Sequence, residues 1–170
     1  MKRYVLFLFA VLLTITVNAA SPLKVISGTT SFLNADAGAC IEFDFSNSTW
    51  EKDETLKQHF QDEYDELINN SQSTFINTFN SSNRNLKFVD KESKPQYKVV
   101  VKFDNFEAKV GGFYRKVVRI WGTATIIDLS SNENVCTIQI TKSEGTGDYV
   151  TKEAFWKSFD KFGELFSKLK

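Results

Sequence analysis

The chain has 170 residues, and its 21 Lys and Arg are balanced by 21 Asp and Glu, for a formal net charge of zero. That length buries a core without metals or cross-links. The charge balance excludes the basic footprint of nucleic-acid binders, and 42% hydrophobic with 25% charged residues excludes disorder. One His and two Cys leave few ligands for a transition metal, so no metal or cofactor is expected.

Residues 1–20 read as a secretory leader. Met1-Lys2-Arg3 is a positive n-region, Val5–Val17 is an apolar run interrupted only by Thr14 and Thr16, and small residues precede a cut after Ala19 or Ala20. The run is shorter than the roughly 20 apolar residues that span a bilayer, so no membrane anchor is expected after cleavage. No Cys stands at the cut for lipid attachment; the first is Cys40. Loss of Lys2 and Arg3 turns the net charge to −2, and the expected destination is the periplasm or the exterior.

Residues 21–170 contain no repeat and no low-complexity tract, and read as a single domain. In the stretch 39–45, Ile41, Phe43 and Phe45 alternate with Cys40, Glu42 and Asp44, the pattern of a half-buried strand. A long helix follows. Leu56, Phe60, Tyr64, Leu67, Ile68, Ser71, Phe75 and Phe79 succeed one another at three- and four-residue steps as one apolar stripe. Its cap is expected at Ser48, which has capping-box spacing to Glu51, or at Asp53. The Asn- and Ser-rich stretch 80–85 ends it.

Strands are expected at 86–89, 97–103, 115–127 and 135–141, with turns at Gly111-Gly112 and 130–134, so that 97–141 forms an antiparallel meander. Gly145-Thr146-Gly147 reads as a further turn. Residues 152–168 return to helical spacing, with Phe155, Phe159, Phe162 and Phe166 as the apolar face, joined by Leu165 and Leu169, and Thr151 as N-cap. The expected fold is α+β: a two-layer sandwich in which a mainly antiparallel sheet of about five strands carries two helices on one face.

Few residues offer chemistry. Strand parity puts Cys40 on the polar side and Cys136 with Ile138 and Ile140 on the core side, which argues against a disulfide although an exported chain meets oxidising conditions. His59, the sole imidazole, flanks the helix stripe and reads as a solvated surface residue. The acids Glu51, Asp53, Glu54, Asp62, Glu63, Asp65 and Glu66 fan around a helix instead of converging on a cleft. The most distinctive surface is the side of strand 115–127 that shows Arg115, Val117, Arg119, Trp121, Thr123 and Thr125. With Thr137, Gln139, Thr141, Lys98, Lys102, Glu42 and Asp44 beside it, this side makes a Thr-rich polar face. There Arg119, Trp121, Thr123 and Thr125 form a candidate partner-binding patch, able to stack on a sugar ring or seat a partner's side chain.

At Glu42–Ser46, Trp50–Glu54 and Thr123–Asp128 the chain resembles small secreted proteins of Bacteroidetes without an assigned activity, over most of residues 21–168. Its element order is similar to the N-terminal domain type of TolB and related envelope domains. The resemblance implies an exported or envelope setting and no particular chemistry. The expectation is a non-enzymatic exported module that binds an envelope protein or a glycan. The alternatives are a hydrolase using Asp44 with Glu42, and a purely structural envelope protein.

Overall fold

The computed structural model describes residues 21–111, 115–147 and 151–170. The leader expected at 1–20 lies outside the described residues. The strands are β1 (Leu23–Gly28), β2 (Gly38–Asp44), β3 (Thr49–Trp50), β4 (Glu54–Thr55), β5 (Lys87–Phe88), β6 (Tyr97–Val110), β7 (Lys116–Asp128) and β8 (Glu133–Gly147). The helices are α1 (Leu56–Phe60), α2 (Tyr64–Ser82) and α3 (Thr151–Ser167), with short 3-10 turns at Ser31–Asn34, Gln61–Glu63 and Lys91–Ser93.

The fold is mixed α+β, built on an eight-stranded sheet in which six strands follow the order β1-β8-β7-β6-β2-β5, while β3 pairs with β6 and β4 with β3. The β6–β7–β8 meander is antiparallel, as its turn signals require. Two features correct the expected five-stranded, mainly antiparallel sheet. First, β2 runs parallel to both β5 and β6, because the helical crossover returns the chain to the same end of the sheet. Second, β1, β3 and β4 are additional strands. A bulge at Ile26 breaks the alternation of β1, and β3 and β4 are two residues each, so neither carries a legible period.

The apolar stripe of the long helix is buried as its spacing demands: Leu67, Ile68, Ser71, Phe75 and Phe79 all face the core. The helix itself is not continuous. Gln61 takes φ 45° and ψ −116°, which no regular helix tolerates, so α1 ends and α2 restarts after a 3-10 turn. The cap also differs from expectation. Ser48 is buried and donates to the Phe45 carbonyl, Glu51 serves β6, and the capping box is Thr55 with Gln58. Thr55 wins because its extended backbone (φ −72°, ψ 154°) lets its hydroxyl accept from the Gln58 N–H at 3.2 Å.

Phe43 of β2 touches Phe75 of α2 (5.4 Å between ring centroids) and Phe159 of α3 (6.3 Å), which puts both helices on one side of the sheet. The stripe of α3 is wholly buried at Phe155, Phe159, Phe162 and Phe166. Each such ring is worth about 1.5–3 kcal/mol of burial. Thr151, expected as the N-cap, is the first helical residue.

Gly145 and Gly147 belong to β8 and not to a turn, because they face α3. A Cβ on Gly145 would lie 1.9 Å from the Ser158 nitrogen, and one on Gly147 2.5 Å from the Ala154 nitrogen. Gly163 performs the same service against the Phe75 carbonyl of α2, at 2.7 Å. Glycine here permits backbone-to-backbone contact that any side chain forbids.

Candidate functional site

The face left open by the helices is built from the alternate residues of β6, β7 and β8. On β7, Val118, Ile120, Gly122, Ala124 and Ile126 are buried toward the helices, while Arg119, Trp121, Thr123 and Thr125 are half-buried on the other side. Cross-strand pairing then fixes the rows of that face. Thr125 lies between Val100 and Thr137, Thr123 between Lys102 and Gln139, Trp121 between Asn105 and Thr141, and Arg119 between Glu107 and Glu144. Glu42 and Asp44 extend the first two rows, opposite Val100 and Lys102.

Trp121 holds a position that sequence parity did not distinguish. Both neighbouring strands change register beside it: β6 bulges at Asp104, between Phe103 and Asn105, and β8 bulges at Lys142, between Thr141 and Ser143. Lys142 has φ 64°, the left-handed conformation that a bulge of this kind demands. The β6 bulge drives the Lys102 carbonyl toward β7, where a Cβ at position 122 would lie 2.2 Å from it; Gly122 is therefore obligatory. Bulges re-aim side chains and concentrate beside functional sites.

A third irregularity adjoins the same residue. The hairpin between β3 and β4 turns at Glu51 (φ 56°) and Lys52 (φ 68°), closed by the Asp53 N–H to the Trp50 carbonyl at 3.1 Å. Two left-handed residues in succession are the mark of a type I′ turn, which favours Asn and Gly. Glu51 repays the conformation structurally, since its carboxylate accepts the Ala108 N–H at 2.6 Å and continues the ladder along the edge of β6. The Lys52 N–H donates to Asn105 Oδ1 at 3.0 Å, and the Lys52 ammonium projects into solvent 3.8 Å from Glu107. Between this turn and the sheet lies a hollow of about 330 Å³ lined by Lys52, Asp104, Asn105, Glu107 and Trp121.

Arg119 is held by Glu144 on β8, Nε to Oε1 at 2.6 Å, and among the described residues makes no ion pair with its other cross-strand neighbour Glu107. Thr123 and Thr125 sit two and four residues along β7 from Trp121, in the rows nearer Lys102 and Val100. The sequence-derived patch is thus one column of the sheet. The hollow adds Lys52, Asp104, Asn105 and Glu107, which parity missed because a bulge and a hairpin turn deliver them. The paired positive φ values leave no pattern in the residue types Glu-Lys.

The other candidates resolve into structural roles. Glu42 pairs with Lys98 at 2.8 Å, which lowers its pKa, and Asp44 accepts from the Ser46 hydroxyl and N–H, which lowers its own. His59 is not simply solvated. Its ring stacks on Trp50 at 4.5 Å, and its Nδ1 lies 2.7 Å from Glu54 Oε1. Glu63 and Glu66 flank Lys152 of α3 at 3.7 and 2.9 Å. Cys40 and Cys136 are both buried and unbonded, with Cys136 in the helix-facing core and Cys40 outside it. Among the described residues no group of three or more His, Cys, Asp or Glu is placed to hold a metal ion, and no helix is long and apolar enough to cross a membrane.

No protein-family model and no curated protein matches the chain. Among solved structures it is similar to the PelC dodecamer from Paraburkholderia phytofirmans, at 15% identity and TM-score 0.46, covering 84% of this chain and 96% of that one. It is also similar to protein XCC0632 of Xanthomonas campestris, of the DUF330 family, at 12% identity and TM-score 0.39, covering 76% and 82%. These neighbours correct the resemblance drawn from sequence. They are PelC and DUF330 proteins instead of TolB-type domains, and no family match supports a Bacteroidetes family. An order of strands and helices is too coarse a pattern to separate one α+β topology from another.

Proposed function

We propose that this chain is an exported, non-enzymatic module that binds a protein or glycan partner in the cell envelope through its open sheet face, centred on Trp121. The leader 1–20, cut after Ala19 or Ala20, would deliver residues 21–170 to the periplasm or the exterior. The observation that carries the reading is the convergence on Trp121 of a bulge in each neighbouring strand, with a strained turn beside it. Irregularities of this kind cost about 1–3 kcal/mol each and persist where the surroundings impose them, most often at sites that bind. A half-buried indole beside a polar hollow suits a sugar face or an interface anchor.

A hydrolytic reading built on Glu42 and Asp44 finds less support, because both carboxyls are held below their ordinary pKa and so are poor proton donors near neutral pH. The binding reading is tested with the mature protein and its Trp121→Ala variant as baits against solubilised envelope and immobilised glycans from the same cells. Wild-type bait is expected to retain a component that the variant loses. Equal recovery by both would remove this face from consideration.

A further inference from the structure

The charges around the hollow are out of balance in a way that specifies its occupant. Arg119 is the cross-strand neighbour of Glu107, yet its guanidinium is committed to Glu144 on the far side. Glu107 is left with the Asn105 side-chain amide at 3.3 Å and the distant Lys52 ammonium at 3.8 Å. Asp104, pushed outward by the bulge, has a carboxylate that no hydrogen bond or ion pair among the described residues engages. Asn105 offers nothing to a ligand through its oxygen, which already accepts from the Thr49 hydroxyl at 2.9 Å and from the Lys52 N–H. The hollow therefore presents two under-compensated carboxylates beside one indole.

Lys52 points the same way. Its side chain is 75% exposed, it occupies a left-handed position where glycine would be less strained, and among the described residues its ion pair is the long contact to Glu107. It stands beside Glu107 as an internal cation that an incoming one displaces at little cost, since an ion pair of this length at so exposed an ammonium is weak.

We infer that the hollow beside Trp121 receives an arginine side chain of a protein partner, stacked on the indole and hydrogen-bonded to Asp104 and Glu107. The inference rests on the open face being the binding surface and narrows it to one chemistry. A guanidinium fits better than an ammonium, because its plane stacks on an aromatic face while its edge reaches carboxylates in a fork. A neutral sugar would leave both carboxylates without a counter-charge.

The test uses uniformly 15N-labelled protein, residues 21–170, titrated with a hexa-arginine peptide and, separately, with maltohexaose, with the indole N–H signals of Trp50, Trp121 and Trp156 followed by NMR. The peptide is expected to shift Trp121 saturably while Trp50 and Trp156 stay fixed. Loss of one charge-assisted contact should weaken binding roughly tenfold in Asp104→Asn and in Glu107→Gln. Lys52→Gln should tighten it more than Lys168→Gln, an equal change of net charge on the helix side of the sheet, and that difference distinguishes a displaced internal cation from simple attraction to net charge. Trp121→Ala, read through the backbone amides of Asp104 and Glu107 that shift with the peptide in the wild type, should abolish the saturable response. Peptide binding that leaves Trp121 unmoved, or that survives Asp104→Asn and Glu107→Gln unchanged, overturns the arginine assignment. A Trp121 shift with maltohexaose and none with the peptide overturns it too, while leaving the open-face reading intact; Trp121→Ala recovering the same envelope components as wild type defeats that broader reading instead.

Discussion

Single residues in this protein are tuned by immediate neighbours, and Glu164 is the clearest case. Lys161 and Lys168, one turn away on either side, each reach its carboxylate at 2.7 Å and hold its pKa down from the ordinary 4.5 to about 2. A carboxyl whose folded pKa is depressed stabilises the fold fully above its unfolded value and loses that contribution as pH falls through the folded value. Stability should therefore decline between pH 4.5 and about 2, in part through this group. Glu164→Gln is expected to flatten that part of the acid limb when urea midpoints are followed from pH 7 to pH 2; parallel curves for the two proteins would contradict it. Glu42 and Asp44 have pKa values lowered by Lys98 and Ser46 respectively, so they lose their contributions in the same direction.

At the scale of elements, the seating of α3 on the sheet depends on glycine as much as on phenylalanine. Phe155, Phe159, Phe162 and Phe166 supply the buried area, but Gly145 lets the α3 backbone reach β8. Gly145→Ala would put a methyl 1.9 Å from the Ser158 nitrogen, in rigid backbone that has no rotamer to yield. Overpacking costs of this kind run to about 1–3 kcal/mol. The expected result is a lower denaturant midpoint at unchanged m-value, with near-wild-type secondary structure by circular dichroism; an unshifted midpoint would show that α3 can move away freely. The α1–α2 break shows the same competition in reverse. A stripe of apolar residues runs on either side of Gln61, yet the backbone turns there, and Phe60, just before the turn, packs edge to face on both Trp50 and Phe155.

For the whole molecule, the sheet separates the two thiols: Cys136 lies on β8 in the helix-facing core, and Cys40 on β2 outside it, with β6 and β7 between. Both should stay unreactive toward a thiol reagent while the protein is folded, Cys136 doubly so since burial also raises its pKa, and both should react once it is unfolded; a reductant should leave the melting temperature unchanged. A mass corresponding to an intramolecular disulfide, or a reductant-sensitive melting temperature, would refute the separation. That result was legible in residue order, because alternation along a strand assigns each side chain to a face before any partner strand is known. The same parity separated Val118, Ile120, Ala124 and Ile126 from Arg119, Trp121, Thr123 and Thr125, and the 3.6-residue period marked the buried stripes of α2 and α3. What lies beyond a local period was not legible: the parallel pairing of β2 with β6, the strand identity of Gly145-Thr146-Gly147, and the company that Trp121 keeps. Lys52 is 69 positions from Trp121 and Asp104 is 17, and a bulge and a left-handed turn bring them together. By itself the sequence determined which faces are apolar and which residues could lie on the open one, since burial of apolar surface follows local periodicity. Only the tertiary structure decided that two carboxylates and a lysine meet the indole, since register shifts are settled by how neighbouring strands and helices pack.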